Sequence, residues 1–312
     1  MSEIFDEIEE VYIETNGIKL HTMLIGSGKP IILLHGFPDF WYGWKDIMLG
    51  LKKDFRLIVP DMRGYNLSDK PEGIQNYSLE FLIDDIKGLS ESLNLGKFCL
   101  VGHDWGGPVA FAFAGKYPEL LEKLILINGP HPLVIRDLIA NDEEQRNASS
   151  YIFEFLKPNS AKKLMDNDFK TLKAVMNMDF LNLAGLLRGS TANNISELPK
   201  REKSLNKFDE KKYVEAWSQP GAINAGLDYY RASVTEPLIA GGWDGKINVP
   251  TLVMHGMNDV ALTPKILNGL DKYVKDLKIV KIEGASHWVM VDAPEIVNSN
   301  IREFIGDSKA SL

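Results

Sequence analysis

Short apolar runs bounded by turn residues recur through the first 130 residues: PIILLHG (30–36), FRLIVPD (55–61), FCLVGHD (98–104) and KLILING (123–129). Each run is apolar at successive positions, the pattern of a strand buried on both faces. Between them lie longer segments with helical spacing, YSLEFLIDDIKGLSESLNLG (77–96) and the stretch after Asp104. Strands alternating with helices predict a parallel sheet covered on both sides, an α/β core. Ahead of it, EVYIETNGIKLHTMLIG (10–26) reads as two alternating strands around Asn16-Gly17, a strong hairpin signal.

After about residue 131 the strand rhythm stops, and aromatic, helix-like segments follow: SSYIFEFL (149–156), NDFKTLKAVMNMDFLNLAGLL (167–187) and DEKKYVEAW (209–217). It resumes with VPTLVMHG (249–256), a helix-like TPKILNGLDKYV (263–274), a strand LKIVKIEG (277–284) and a last helix from Pro294. This predicts a core of residues 1–130 and 246–312, a mostly parallel twisted sheet flanked by helices, with 131–245 inserted as a helical cap. The chain of 312 residues is long enough for such a core.

Composition narrows the class. With 45% hydrophobic and 25% charged residues this is an ordinary globular chain, and a net charge of -8 argues against a nucleic-acid partner. The densest basic stretch, ELPKREKSLNKFDEKK (197–212), interleaves acids and reads as a solvated face. The acidic start MSEIFDEIEEV does not resemble a signal peptide, and no apolar run approaches the roughly 20 residues of a bilayer span. Asn66-Leu-Ser and Asn147-Ala-Ser match glycosylation sequons, which count for little without an export signal. The lone Cys99 sits in an apolar run and reads as a small packed hydrophobe. A cytoplasmic protein without a membrane partner is expected; a monomer and a homodimer both stay open.

At FCLVGHDWGGPVAFAFA (98–114) a strand ends in a turn, small-x-Asp-x-Gly, that feeds straight into a helix. That is the geometry of a nucleophile elbow with Asp104 in place of serine. Gly102 and Gly106 would relieve crowding at the bend, and the helix amino terminus would set N–H groups beside the side chain. Alone, Asp104 also reads as a helix N-cap. Other features weigh against that. His35-Gly36-Phe37-Pro38 follows a strand where the second half of an oxyanion hole belongs, with the backbone N–H groups of Phe37 and Trp105 as donors. His287 follows the last strand, in chain order nucleophile, acid, histidine. Asp259, just beyond TLVMHG, is placed to orient it; the alternative position after LILI carries the uncharged Asn128. The expected triad is Asp104, His287 and Asp259.

A carboxylate with a reference pKa of about 3.9 is already ionised at neutral pH and attacks without a base. It suits displacement at an sp³ carbon, giving an alkyl ester that water, activated by His287, then hydrolyses. No metal ligand pairing and no dinucleotide or phosphate loop is visible, so no cofactor or metal is expected.

HGFPDFWYGW, DMRGYNLSDKP, GHDWGG, NGPHP, SQPGAINAGLDYYR and GASHWV together resemble an epoxide hydrolase of the α/β-hydrolase fold, over residues 10–306 or so. The resemblance implies that a small hydrophobic epoxide and water are converted to a vicinal diol. It also implies two cap tyrosines that hydrogen-bond the departing oxygen, at the positions of Tyr151 and Tyr230, with Tyr229 one residue away from the match. Trp105, Phe37, Phe153, Trp217 and Trp288 are expected as apolar pocket walls. Trp105 also keeps open a haloalkane or haloacetate dehalogenase, since an indole N–H can hold a halide. The haloacetate enzymes would carry Arg at 105 and His at 151; the alkane enzymes would carry Asn or Glu at 37 and lack the tyrosine pair. A non-catalytic small-ligand binder is the third reading, for which Asp259 and His287 would serve no purpose.

Overall fold

Asn16 and Gly17, both at positive φ (45° and 76°), turn the chain between β1 (Glu9–Thr15) and β2 (Ile18–Ile25), as the hairpin signal predicts. The computed structural model describes residues 7–176, 206–236 and 242–306. β3 (Lys29–Leu34), α1 (Lys45–Leu51), β4 (Phe55–Pro60), α2 (Leu79–Ser92), β5 (Phe98–His103), α3 (Gly106–Lys116) and β6 (Leu121–Ile127) then alternate. The helices α4 (Pro132–Asn141), α5 (Glu143–Ala148), α6 (Ser150–Phe155), α7 (Ser160–Met176), α8 (Lys207–Trp217) and α9 (Ala222–Thr235) intervene. β7 (Thr251–Gly256), β8 (Leu277–Ile282), α10 (Val289–Asp292) and α11 (Pro294–Gly306) complete the sheet and its cover.

The eight strands run in the order β1-β2-β4-β3-β5-β6-β7-β8. β1 and β2 pair antiparallel to their neighbours, and every later pairing is parallel. The apolar runs explain the layering. Every residue of β5 and β7 is buried, because helices cover both faces of the central strands. The edge strand β8 is only partly covered and keeps polar positions, Lys278 and Lys281. The central strand β5 thus delivers its carboxyl end, and Asp104, between β3 and β6.

Two expectations are revised. TPKILNGLDKYV is not one helix but two short 3-10 turns, Pro264–Leu267 and Leu270–Lys272, because Gly269 adopts a left-handed φ of 78° between them. Of the segment 167–187, the part to Met176 closes α7, whose path is broken by non-helical dihedrals from Asp166 to Phe169; the remainder lies outside the described residues. No helix among the described residues is long and apolar enough to cross a membrane.

Candidate active site

Asp104 has a positive φ of 50°, so its side chain stands on a strained bend at the end of β5. The surrounding glycines are required by close backbone approach. A Cβ on Gly102 would strike the Gly106 carbonyl, one on Gly106 the Leu34 carbonyl, and one on Gly107 the backbone of Gly129. A Cβ on Gly36 would collide with the Asp104 carboxylate itself. GHDWGG and HGFP are therefore two halves of one tightly packed turn pair.

The Phe37 N–H donates to Asp104 Oδ1 at 2.8 Å, which holds one carboxylate oxygen and leaves Oδ2 free of that bond. The Trp105 N–H, at the start of α3, does not bond the carboxylate here. His35 braces this loop: its Nδ1–H donates to the Gly36 carbonyl at 2.9 Å and its Nε2 accepts from the Met62 N–H at 2.9 Å.

Across the carboxyl ends of the strands, His287 Nδ1 lies 2.8 Å from Asp259 Oδ2, and its Nε2 lies 3.6 Å from Asp104 Oδ2. Asp259 is satisfied on every side. Its Oδ1 accepts from the N–H groups of Ala261 and Leu262 at 2.8 and 2.9 Å, and Oδ2 also accepts from Asn128 Nδ2 at 2.6 Å. Burial raises its pKa, but the facing His287 imidazole, followed by His255 and the Leu262 N–H, outweighs burial and brings it to about 2. His287 shows the converse. Burial lowers its pKa, and the carboxylates of Asp259 and Asp104 overcome that and lift it to about 10.

Two residues outside the expected set support this trio. Asn128, at the end of β6, donates to Asp259 and accepts from the Gly256 N–H at 3.0 Å, so it ties the acid to β7. The signal for it is its place after LILI, where an acid could stand and an amide donor does. His103 donates through Nε2 to the His287 carbonyl at 2.9 Å; burial, and next His287, hold its pKa down to about 3, so it stays neutral.

Above Asp104 lies a cavity of about 240 Å³ lined by Asp104, Trp105, Tyr151 and Tyr230, with Phe153 and α4 residues such as Ile135 among the outer walls. Tyr151 and Tyr230 come from α6 and α9 and meet with ring centroids 6.3 Å apart. Burial, followed by the charge of Asp104, raises both phenol pKa values well above the ordinary one, so both remain O–H donors. Tyr229 points elsewhere: its hydroxyl donates to the Arg63 carbonyl at 2.7 Å.

The expected walls divide. Trp105 lines the cavity and packs on Tyr230, with centroids 5.0 Å apart. Phe153 lines it too but is 52% exposed, which puts it at the mouth. Phe37, Trp217 and Trp288 do not line it. The Phe37 ring is covered by Phe155 and Tyr230, Trp217 turns its indole N–H to the Pro38 carbonyl, and Trp288 is buried beside His103 and His287. An aromatic residue near a motif reads as a wall, whereas these three fill the packing behind the site. Among the walls missed in the sequence, Ile135 and Ile139 share one face of the amphipathic α4.

A profile for the alpha/beta hydrolase fold matches residues 29–294. Among curated proteins, the chain is 38% identical to AB hydrolase superfamily protein YfhM of Bacillus subtilis, covering 96% of this chain and 99% of that one. It is 35% identical to Epoxide hydrolase 4 of Homo sapiens, covering 95% and 78% of the two chains. Among solved structures, it is similar to a mutant of an epoxide hydrolase from Bacillus megaterium, with a TM-score of 0.81 at 30% identity, covering 95% and 100%. With the elbow, the strand order and these relatives in agreement, the chain belongs to the α/β-hydrolase fold family and groups within it with the epoxide hydrolases.

Proposed function

We propose that this chain hydrolyses small hydrophobic epoxides to vicinal diols through an ester on Asp104. The observation that carries the reading is the cavity whose inner end combines a carboxylate nucleophile with two buried phenols, Tyr151 and Tyr230. Displacement at an oxirane carbon needs an anion on one side and a proton donor for the ring oxygen on the other, and that pairing is what an epoxide requires.

In the first step Asp104 Oδ2 forms a bond to one oxirane carbon while that carbon's bond to the ring oxygen breaks. The oxygen, still attached to the neighbouring carbon, takes a proton from a tyrosine hydroxyl, and the tyrosinate is reprotonated as His287, no longer facing the Asp104 charge, gives up its own proton. In the second step water gives a proton to His287 and attacks the ester carbonyl. The negative charge then falls on Oδ1, where the Phe37 N–H already points, with the Trp105 N–H as the second donor of the proposed oxyanion hole. Collapse expels the diol oxygen, which takes the proton of the new carboxyl group, so the carboxylate is restored and His287 is left protonated as at rest. Net, one water is added.

Ester formation also removes the charge of Asp104, one of the two anions that hold the proton on His287. The imidazolium therefore gives up its proton more readily, and His287 is neutral and able to accept one when water must be activated. The segment 131–245, through its described helices α4 to α9, serves as a cap over the core of 1–130 and 246–312 and supplies the phenols. The single Cys99, buried and free, suits a reducing compartment, the cytoplasm.

A haloalkane is the second reading, favoured by the Trp105 indole on the cavity wall. It leaves the two tyrosine hydroxyls without a task, and so ranks below the epoxide. A binding protein without catalysis has no use for the hydrogen bond between Asp259 and His287. Incubation with an aryl epoxide and a bromoalkane in parallel tests the choice. Diol formation that is lost in Asp104→Ala supports the proposal, and halide release without epoxide opening overturns it.

A further inference from the structure

Trp217 and Tyr213 both lie on α8 and both reach across to the loop that carries the Phe37 N–H. The Trp217 Nε1–H donates to the Pro38 carbonyl at 2.6 Å, and the Tyr213 hydroxyl donates to Asp39 Oδ1 at 2.8 Å. Asp39 in turn accepts from the Phe40 N–H at 2.8 Å through that same oxygen, and its own N–H closes the turn on the Gly36 carbonyl at 3.0 Å. Trp217, Tyr213 and Asp39 are all buried, so these bonds are not exchanged for water. On the far side α9 presses on the Phe37 ring at Gly226, where a Cβ would come within 2.7 Å of it.

We propose that Trp217 and Tyr213 are positioning residues which aim the Phe37 N–H at the Asp104 carboxylate, so that the inserted helices control the oxyanion hole of the core. The inference rests on the ester mechanism proposed above. Neither side chain lines the cavity that holds Asp104, so neither touches substrate there. Their action is indirect, through the peptide planes of residues 36–39. A backbone donor has no rotamer of its own to adjust; its aim is set by the neighbouring peptides, and three of these are anchored to α8 or to one another.

The two half-reactions do not depend on this donor equally. During alkylation the negative charge leaves the carboxylate, so the Phe37 hydrogen bond weakens toward the transition state. During ester hydrolysis charge develops on Oδ1 and the bond strengthens. Only interactions stronger in the transition state accelerate a step, so a poorly aimed donor slows hydrolysis selectively. A loss of fold would instead reduce both steps by one factor, the fraction of active protein.

Rapid-quench mass spectrometry of the full chain with an aryl epoxide in excess separates the two steps. In Trp217→Phe, which keeps a ring but removes the donor, and in Tyr213→Phe, which removes one oxygen, we expect ester hydrolysis to slow about tenfold with alkylation within about twofold. The share of Asp104 held as ester at steady state should rise. Equal slowing of both steps, or of neither, overturns the inference. If Trp217→Phe does not fold, Tyr213→Phe carries the test alone. Absence of any Asp104 ester in the unmodified protein would overturn the ester mechanism, and this inference with it.

Discussion

The Nε2 of His287 stands 3.6 Å from Asp104 Oδ2. The same ring is fixed at its other nitrogen by Asp259, at 2.8 Å. The imidazole is thus held between a carboxylate that persists through the reaction and one that is consumed in its first step. That difference lets one histidine hold its proton in the resting site, release it once alkylation removes the Asp104 charge, and then take a proton from water.

The first consequence is a titration. Burial lowers the His287 pKa, and the two carboxylates together raise it to about 10. A raised folded-state value means the arrangement adds stability below the ordinary histidine pKa of about 6.5, and loses it as pH rises through about 10. Asp104→Asn should move the titration of His287 to lower pH, as followed by NMR of its ring protons. Asp259→Asn should lower it as well. An unchanged midpoint in Asp104→Asn would contradict the coupling.

His287→Gln removes the base but leaves the nucleophile and the phenols in place. Epoxide should still be opened once, and multiple turnover should fall about 10²- to 10⁴-fold. Intact-protein mass spectrometry should find the enzyme carrying one substrate mass on Asp104. A variant that turns over freely would remove His287 from the second step.

Tyr151→Phe combined with Tyr230→Phe keeps both rings and takes away both O–H donors to the ring oxygen. Epoxide opening should fall about 10²-fold or more, while displacement of bromide from a bromoalkane, whose leaving group needs no proton, should change much less. Equal effects on the two substrates would mean that the phenols only pack.

Asn128 is fully buried and makes hydrogen bonds to Asp259 and Gly256. Asn128→Ala leaves a buried carboxylate oxygen short of one donor and a buried N–H without its acceptor, a loss of about 1–3 kcal/mol in folding stability. Thermal unfolding should register this as a lower midpoint than that of the unmodified protein. An unchanged midpoint would show that water replaces the amide.

The sheet is legible because the runs at 30–36, 55–61, 98–104, 123–129 and 249–256 are apolar on both faces, which few structures other than a covered parallel strand tolerate. The elbow is legible because its glycines are fixed by contact: Gly102, Gly106 and Gly107 each abut backbone. Contacts between segments distant in sequence are less so. Nothing in DEKKYVEAW announces that Trp217 will donate to Pro38 instead of facing the cavity, since both roles call for a buried aromatic. Asn128 stands out in the sequence for the charge it lacks, and its use as a donor depends on Asp259 arriving from β7. The segment 263–274 has the apolar spacing of a helix, but the left-handed Gly269 divides it.

The central claim is that the carboxylate of Asp104 becomes covalently attached to the substrate. A single turnover with enzyme in excess over an aryl epoxide in ¹⁸O-water tests it most directly. The account predicts that the diol of the first turnover carries unlabelled oxygen from Asp104 and that the label appears in the Asp104 carboxylate. Label in the first-turnover diol, with none in Asp104, would show direct attack by water and contradict it.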